Sequence, residues 1–232
     1  NPDYHQKDSK FKWRNFEKCI KKSINKKKFK TSDIFSICEI GCGSGGILNY
    51  LKQSNLFMDL TNLEGWDINP GAIKMAMQKY PSINFFNKNL FENDKLFDLI
   101  ICSDVFEHVE NPYEFLNKLN IRSKYFLFNI PLEMNLLSMI QGKKIFKKTF
   151  ESVGHLHFYS APSANLILEV TNYEIIYSQF AKDRTRNFFA SPSLRKLFAT
   201  IPQFFIELLN PHFASLLMGD HLVILARRKD VN

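Results

Sequence analysis

A chain of 232 residues, 45% of them apolar, can bury a full core within one domain. Its formal charge of +8 suits anionic surfaces without singling out nucleic acid. No secretory signal and no window of about 18 uncharged apolar residues is visible, so a cytoplasmic location is expected. Cysteines 19, 38, 42 and 102 form no C-x-x-C pair; they read as reduced core residues, and no metal site is expected.

Residues 1–33 form a Lys-rich extension in which Phe11, Trp13, Phe16, Ile20 and Ile24 recur about once per helical turn, predicting an amphipathic helix over 9–28. The lysines at 21, 22, 26, 27, 28 and 30 form either a solvated face or an anion-binding arm. From 34 to 232 strands and helices alternate: strand 34–40, helix 45–54, strand 60–67, helix 70–79, strand 83–87, strand 96–103 and helix 112–120. A strand at 124–130, a helix at 161–171 and strands at 173–180 and 221–228 complete the series. Asn69-Pro70, Asn111-Pro112 and Ser160-Ala-Pro162 mark helix starts with a capping residue ahead of an early proline.

The alternation predicts an α/β, Rossmann-like, doubly wound and mostly parallel seven-stranded sheet with right-handed crossovers. Only a hydrophobic insertion separates the last two strands, so the final strand is expected to be antiparallel, at the sheet edge. Insertions at 131–157 and 183–219 follow strands on their carboxyl side, where ligands bind in such sheets, and are expected to be helical lids.

The first strand runs into Gly41-Cys42-Gly43-Ser44-Gly45-Gly46 and then a helix. Glycines there let the backbone turn sharply and approach a ligand, and the helix start offers unpaired N–H groups and a positive dipole end. The turn alone admits NAD, FAD or S-adenosylmethionine, because Gly41, Gly43 and Gly46 also spell G-x-G-x-x-G. Two acids narrow the choice. Glu39 would repel a pyrophosphate but can hold an ammonium, directly or through water. Asp67 ends the second strand where it can accept both ribose hydroxyls, and Ile68 can pack on an adenine face.

Carrying E-x-G-x-G-x-G at 39–45, Leu63-Glu-Gly-Trp-Asp-Ile-Asn-Pro70, the segment Lys95–Pro112 and Gly154-His-Leu-His-Phe-Tyr-Ser160 in this order, the chain resembles the class I S-adenosylmethionine-dependent methyltransferases. The likeness is to the ubiquinone-biosynthesis-type and other small-molecule members, over residues 35 to 180 and the last strand. It implies S-adenosylmethionine as cofactor, cradled by Glu39, Gly41, Cys42, Gly43, Gly45, Asp67 and Ile68. It places Asn89 where the family has an Asp that bonds the adenine amino group, with the N–H of Leu90 on the ring; an Asn oxygen can still accept that bond. Ser103, Asp104 and Phe106 would line the methionine end. His108, after Glu107, either orders the loop before the next helix, stands beside the acceptor, or joins Glu107 at a metal. His155, backed by His157, is the implied base or positioning group, needed as a base only where the acceptor must lose a proton.

After the fourth strand the chain has Ser103-Asp-Val-Phe106 in place of the (N/D/S)-P-P-(Y/F) of amino-methylating nucleic-acid enzymes, so nucleic acid is not an expected partner. The 183–219 insertion carries Phe188, Phe189, Phe198, Phe204, Phe205 and Phe213, with helices predicted at 192–199 and 202–209. Such a hairpin closes the site, docks on a membrane surface, joins two copies in a homodimer, or completes the core of a monomer. Lys143, Lys144, Lys147 and Lys148 in the other insertion suit a lipid headgroup, a phosphate or an anionic substrate near the mouth. The expected function is methyl transfer to a small-molecule acceptor, an oxygen on an apolar or lipid-linked metabolite. RNA or protein methylation, a non-catalytic cofactor-binding role and NAD-dependent oxidoreduction are the alternatives.

Overall fold

A computed structural model describes residues 2–181, 205–206 and 209–229, with side chains from residue 8 onward. The strands are β1 (Ser36–Ile40), β2 (Asn62–Trp66), β3 (Asn84–Phe86), β4 (Phe97–Ser103), β5 (Ser123–Pro131), β6 (Tyr173–Phe180) and β7 (His221–Arg228). They form one sheet in the order β3-β2-β1-β4-β5-β7-β6. The first five pair in parallel, and β7 runs antiparallel to both β5 and β6. Leu99, Ile100 and Ile101 of β4, like Phe126, Leu127 and Phe128 of β5, are wholly buried, as central strands must be when helices cover both faces.

The last strand is antiparallel as expected, but it lies between β5 and β6 and not at the edge. Its run Leu222-Val-Ile-Leu-Ala226 is buried throughout, so neither face alternates with a polar one, and a strand of that composition belongs inside a sheet.

The helices are α1 (Pro2–Asn25), α2 (Gly46–Gln53), α3 (Pro70–Lys79), α4 (Pro112–Asn120), α5 (Leu136–Gln141), α6 (Lys143–Val153), α7 (Ala161–Val170) and α8 (Pro211–Met218). Asn69 accepts from the N–H of Gly71 and Ala72 at the start of α3, and Asn111 accepts from Glu114 N–H at the start of α4. Ser160 and Ser163 form a reciprocal capping box on α7. α5 and α6 fill the first insertion. The helix expected at 192–199 lies outside the described residues, as does most of the one expected at 202–209; residues 205, 206 and 209 are helical, and α8 follows.

α1 begins seven residues before the amphipathic stripe predicts and is packed into the domain. Trp13, Phe16, Cys19 and Ile20 join Ile37, Ile47, Leu51, Leu127 and Val223 in one core, while Leu116, Phe126, Phe128, Ala164, Leu168 and Tyr173 form another. Gln179 of β6 donates to the Asn15 carbonyl at 3.0 Å, fixing α1 along the sheet. Phe16 is completely buried, so Phe16→Ala should lower unfolding free energy by about 3–5 kcal/mol. In urea the midpoint should fall at unchanged m-value; a loss under about 1 kcal/mol would make α1 peripheral to the fold.

Candidate active site and cofactor cradle

Ile40 is paired with Trp66 on one side and Cys102 on the other, so β1, β2 and β4 end level. The residues that follow, Gly41, Asp67 and Ser103, therefore open on one edge. Gly41 has φ +67° and a Cβ there would sit 2.5 Å from Val105 Cγ2; Gly45 has φ +75° and a Cβ would sit 2.5 Å from the Phe85 ring. Only glycine meets both demands. Gly46 abuts Ser9 of α1, so it serves the packing of two helices. Asp67 ties the turns together: one oxygen accepts from Gly43 N–H and the other from Asn69 N–H, each at 2.8 Å.

Beside this turn lies a cavity of about 350 Å³ lined by Gly41, Asp67, Ile68, Asn89, Leu90 and Val105, among others. Ile68 is exposed to it, while Leu90 is a core residue whose edge reaches it. Asn89 Oδ1 accepts from Phe91 N–H at 3.1 Å, capping a short 3₁₀ turn, so any adenine contact would share that oxygen. Cys42 is buried within the turn, and burial, with Glu39 and Asp67 nearby, pushes its thiol far up: it is packing, not a nucleophile.

A cluster of acids stands behind the turn. Glu39 is buried; the Leu48 N–H in the first turn of α2 reaches its carboxylate, yet Oε2 has no hydrogen-bond partner among the described residues. Burial drives its carboxyl well above the usual range. Asp104, held at φ +53°, accepts from Asn129 Nδ2 at 2.7 Å and faces His221 Nε2 at 3.9 Å. Lys12, from α1, reaches Asp104 Oδ2 at 2.5 Å and Asp8 Oδ2 at 2.8 Å. Burial opposes the Asp104 charge, but Lys12 and His221 outweigh it and hold the carboxyl below its ordinary value. Desolvation likewise opposes the Lys12 charge, and Asp104 and Asp8 outweigh it to keep the ammonium protonated. The Ser103 hydroxyl is buried with no partner among the described residues.

A second cavity of about 440 Å³ is lined by the apolar Pro131, Leu132, Ile145, Phe146 and Val153 and by the polar Glu133, Asn135, Ser138, Thr149, His155, Asp220 and His221. His155 Nδ1 lies 2.6 Å from Glu133 Oε2, and the His155 ring meets that of His108 edge-on at 4.7 Å. His108 Nδ1 is 3.2 Å from the Gly154 carbonyl; burial lowers its pKa, so the ring is neutral at pH 7 and its Nδ1–H donates there. His157 Nε2 is 3.0 Å from the Val109 carbonyl, and the N–H groups of Leu156 and His157 both bond the Glu107 carbonyl. These contacts strap the 154–157 segment to the loop after β4. His108 and His157 are thus engaged with backbone, and of the three His155 is the one that lines the cavity, together with His221.

Glu107 is fully buried with neither carboxylate oxygen bonded among the described residues, and burial, then the Asp104 charge, pushes its pKa well up. Donor atoms of Glu107, His108 and His155 lie within 4.8 Å of one another, a grouping able to hold a cation; the Glu107–His108 part of it is the metal alternative read from the sequence, and His155 is the added member. Phe106, expected at the methionine end, is packed in the core against Phe128 and Tyr159, because the turn at Asp104 directs it inward.

Three site residues escaped sequence reasoning. Lys12 carried a signal, since it shares the stripe of Phe16 and Ile20 at i, i+4, i+8, and a charge on an apolar face needs a buried partner. Glu133 and His221 carried none; they come together only when the antiparallel β7 sets His221 opposite Pro131.

A doubly wound sheet with a left-handed glycine turn, a tethering acid after β2 and unpartnered buried polar atoms at its carboxyl edge defines a nucleotide-cofactor enzyme fold. The sequence pattern of the family described as "Methyltransferase domain" matches residues 7–178, and the chain belongs to this family, within the class I S-adenosylmethionine-dependent methyltransferases. It is 33% identical over 106 residues to a ubiquinone biosynthesis O-methyltransferase of Rickettsia bellii, covering 44% of this chain and 43% of that one. An N-methyltransferase of Papaver somniferum is 27% identical over 135 residues, covering 54% of this chain and 35% of the other. The chain thus matches less than half the length of these curated relatives. In fold it is similar to the Synechocystis magnesium protoporphyrin IX methyltransferase with bound S-adenosylhomocysteine, at TM-score 0.58 and 14% identity, over 97% of this chain and 84% of that one.

The Lys12–Asp104 pair keeps 22% and 19% of its side-chain surface accessible. Lys12→Met should therefore cost about 2 kcal/mol of stability at pH 7. Because the folded pKa of Asp104 is depressed, its contribution is present above its unfolded value and lost as pH falls through the folded one. Chemical denaturation should accordingly show the gap between the two proteins narrowing below about pH 4; a gap independent of pH would contradict the pairing.

Proposed function

We propose that the chain methylates an oxygen of an apolar small molecule bound in the second cavity, with His155 as general base and Glu133 as its positioning partner. The observation that carries this reading is the 2.6 Å His155–Glu133 contact at the wall of a cavity that also presents Leu132, Ile145, Phe146 and Val153. When bound, S-adenosylmethionine supplies a methyl group on a sulfonium, open to in-line displacement.

The residues present fit that cofactor. At Gly43 the turn faces open space, Asp67 and Ile68 border the first cavity, and the Glu39 oxygen without a partner among the described residues is suited to an ammonium. Lys12 adds a cation suited to a carboxylate at the amino-acid end.

The chemistry of the acceptor decides what the protein must do. A neutral amine can attack a sulfonium unaided, whereas a hydroxyl gains from losing its proton as the bond forms. Glu133 accepting from Nδ1–H leaves the lone pair on Nε2, the arrangement a base needs. An oxygen acceptor agrees with the resemblance to the Rickettsia enzyme, and the apolar lining with a hydrophobic molecule. α5 and α6 form one wall of the cavity.

With methyl-labelled cofactor and a panel of phenols, other hydroxyl compounds, carboxylates and amines, a phenol or hydroxyl acceptor should be labelled. His155→Ala should then lower kcat by about 10²–10⁴-fold with little change in acceptor KM, and Glu133→Gln should lower it less. Normal turnover of His155→Ala at saturating acceptor, or labelling of amines alone, would overturn the reading.

A further inference from the structure

We propose that the outer face of α5 and α6 docks on an anionic lipid bilayer. α5 is built inside out for a helix in water. Its capping residue Asn135 and its Ser138 are turned inward, where Asn135 Oδ1 accepts from Ser138 N–H and Nδ2 donates to the carbonyls of Leu132 and Glu133, and Gln141 is its one polar residue turned outward. Leu136, Leu137, Met139 and Ile140 are turned outward, Met139 at 63% exposure and Ile140 at 72%. An ordinary surface helix has the opposite pattern. α8, which packs on α5, extends the apolar surface with Phe213 and Leu216.

Charge decides what this surface meets. α6 presents Lys143, Lys144, Lys147 and Lys148 to solvent, and its one acid, Glu151, sits beside Lys147 at 3.6 Å. Apolar side chains beside a group of lysines match an acyl boundary beneath anionic headgroups. A second copy of the chain fits poorly, because a two-fold interface would bring the same four lysines against each other. No helix of the described residues is long and apolar enough to cross a membrane, so the contact is with the surface.

The same two helices roof the second cavity, with Asn135 and Ser138 of α5 and Ile145, Phe146, Thr149 and Val153 of α6 on its wall. Docking by their outer face sets the cavity next to the bilayer. An apolar acceptor then enters without crossing water. This delivery role rests on the acceptor reading above; the docking itself does not.

Full-chain protein, without cofactor or acceptor, should be sedimented with vesicles of phosphatidylcholine, with and without phosphatidylglycerol. The protein should bind the mixed vesicles, more weakly at high salt, and bind phosphatidylcholine alone far less. Lys147→Glu with Lys148→Glu should weaken binding by more than about tenfold, each lysine contributing about fivefold at an anionic leaflet. Met139→Asp with Ile140→Asp should abolish it. None of these four residues lines either cavity, so S-adenosylhomocysteine affinity and thermal midpoint serve as folding controls. Absence of vesicle binding, or binding that both double variants retain, would overturn the proposal. So would a dimer in sedimentation velocity that Met139→Asp with Ile140→Asp dissociates while vesicle binding persists. Because turnover is not the readout, failure of the methyl-transfer reading leaves this result standing, and the reverse.

Discussion

Several carboxylates meet at the carboxyl edge of this sheet, and a cation carried in from the first helix makes that tolerable. Glu39, Asp104 and Glu107 come from three nearby positions on β1 and the loop after β4, all in surroundings poor in water. Burial alone would neutralise them. Lys12 holds Asp104 ionised, and the other two carry raised affinities for protons. The position of α1, the left-handed backbone at Asp104 and the level ends of β1, β2 and β4 all bear on this one grouping. It makes the helix at the start of the chain part of the site as well as of the core.

That grouping also divides the space around it. The cavity beside the glycine turn, with Asp67 and Ile68 at its wall, has the lining a nucleoside requires. The cavity beside α5 and α6 mixes apolar side chains with polar groups that include the His155–Glu133 pair. The loop from Ser103 to Glu110 borders the first of them and is held by backbone hydrogen bonds from Leu156 and His157. His108 and His157 act as struts for that loop, while His155 pairs with Glu133. The same insertion carries lysines and exposed apolar residues on its outside and cavity-lining residues on its inside.

Much of this was legible in the sequence, for local reasons. The glycine turn, the Asp67 position and the capped starts of α3, α4 and α7 depend on residues a few positions apart, and they stand where their spacing indicates. The parallel pairing followed from the alternation of elements, and the antiparallel final strand from the lack of an ordinary crossover helix before it. What escaped depends on contacts between distant segments. The place of β7 inside the sheet follows from a gap that only the β5-to-β6 crossover creates. Lys12 meets Asp104 across some ninety residues of chain. Phe106 faces the core because of a left-handed residue two positions earlier, which no local pattern announces. Glu39 carried a double assignment: the residue suited to an ammonium also receives the Leu48 N–H at the start of α2, so it helps build the cradle.

The central claim is that the acid cluster, with Glu39 at its heart, receives the amino-acid end of a sulfonium nucleoside. Calorimetric titration of the wild-type protein and Glu39→Gln with S-adenosylhomocysteine, and with 5′-methylthioadenosine, which lacks that end, tests it directly. S-adenosylhomocysteine should bind one per chain, and Glu39→Gln should weaken it about tenfold or more, the value of a lost charged hydrogen bond. The affinity for 5′-methylthioadenosine should be unchanged. Equal weakening of both ligands, or NADH binding in preference to S-adenosylhomocysteine, would contradict the account.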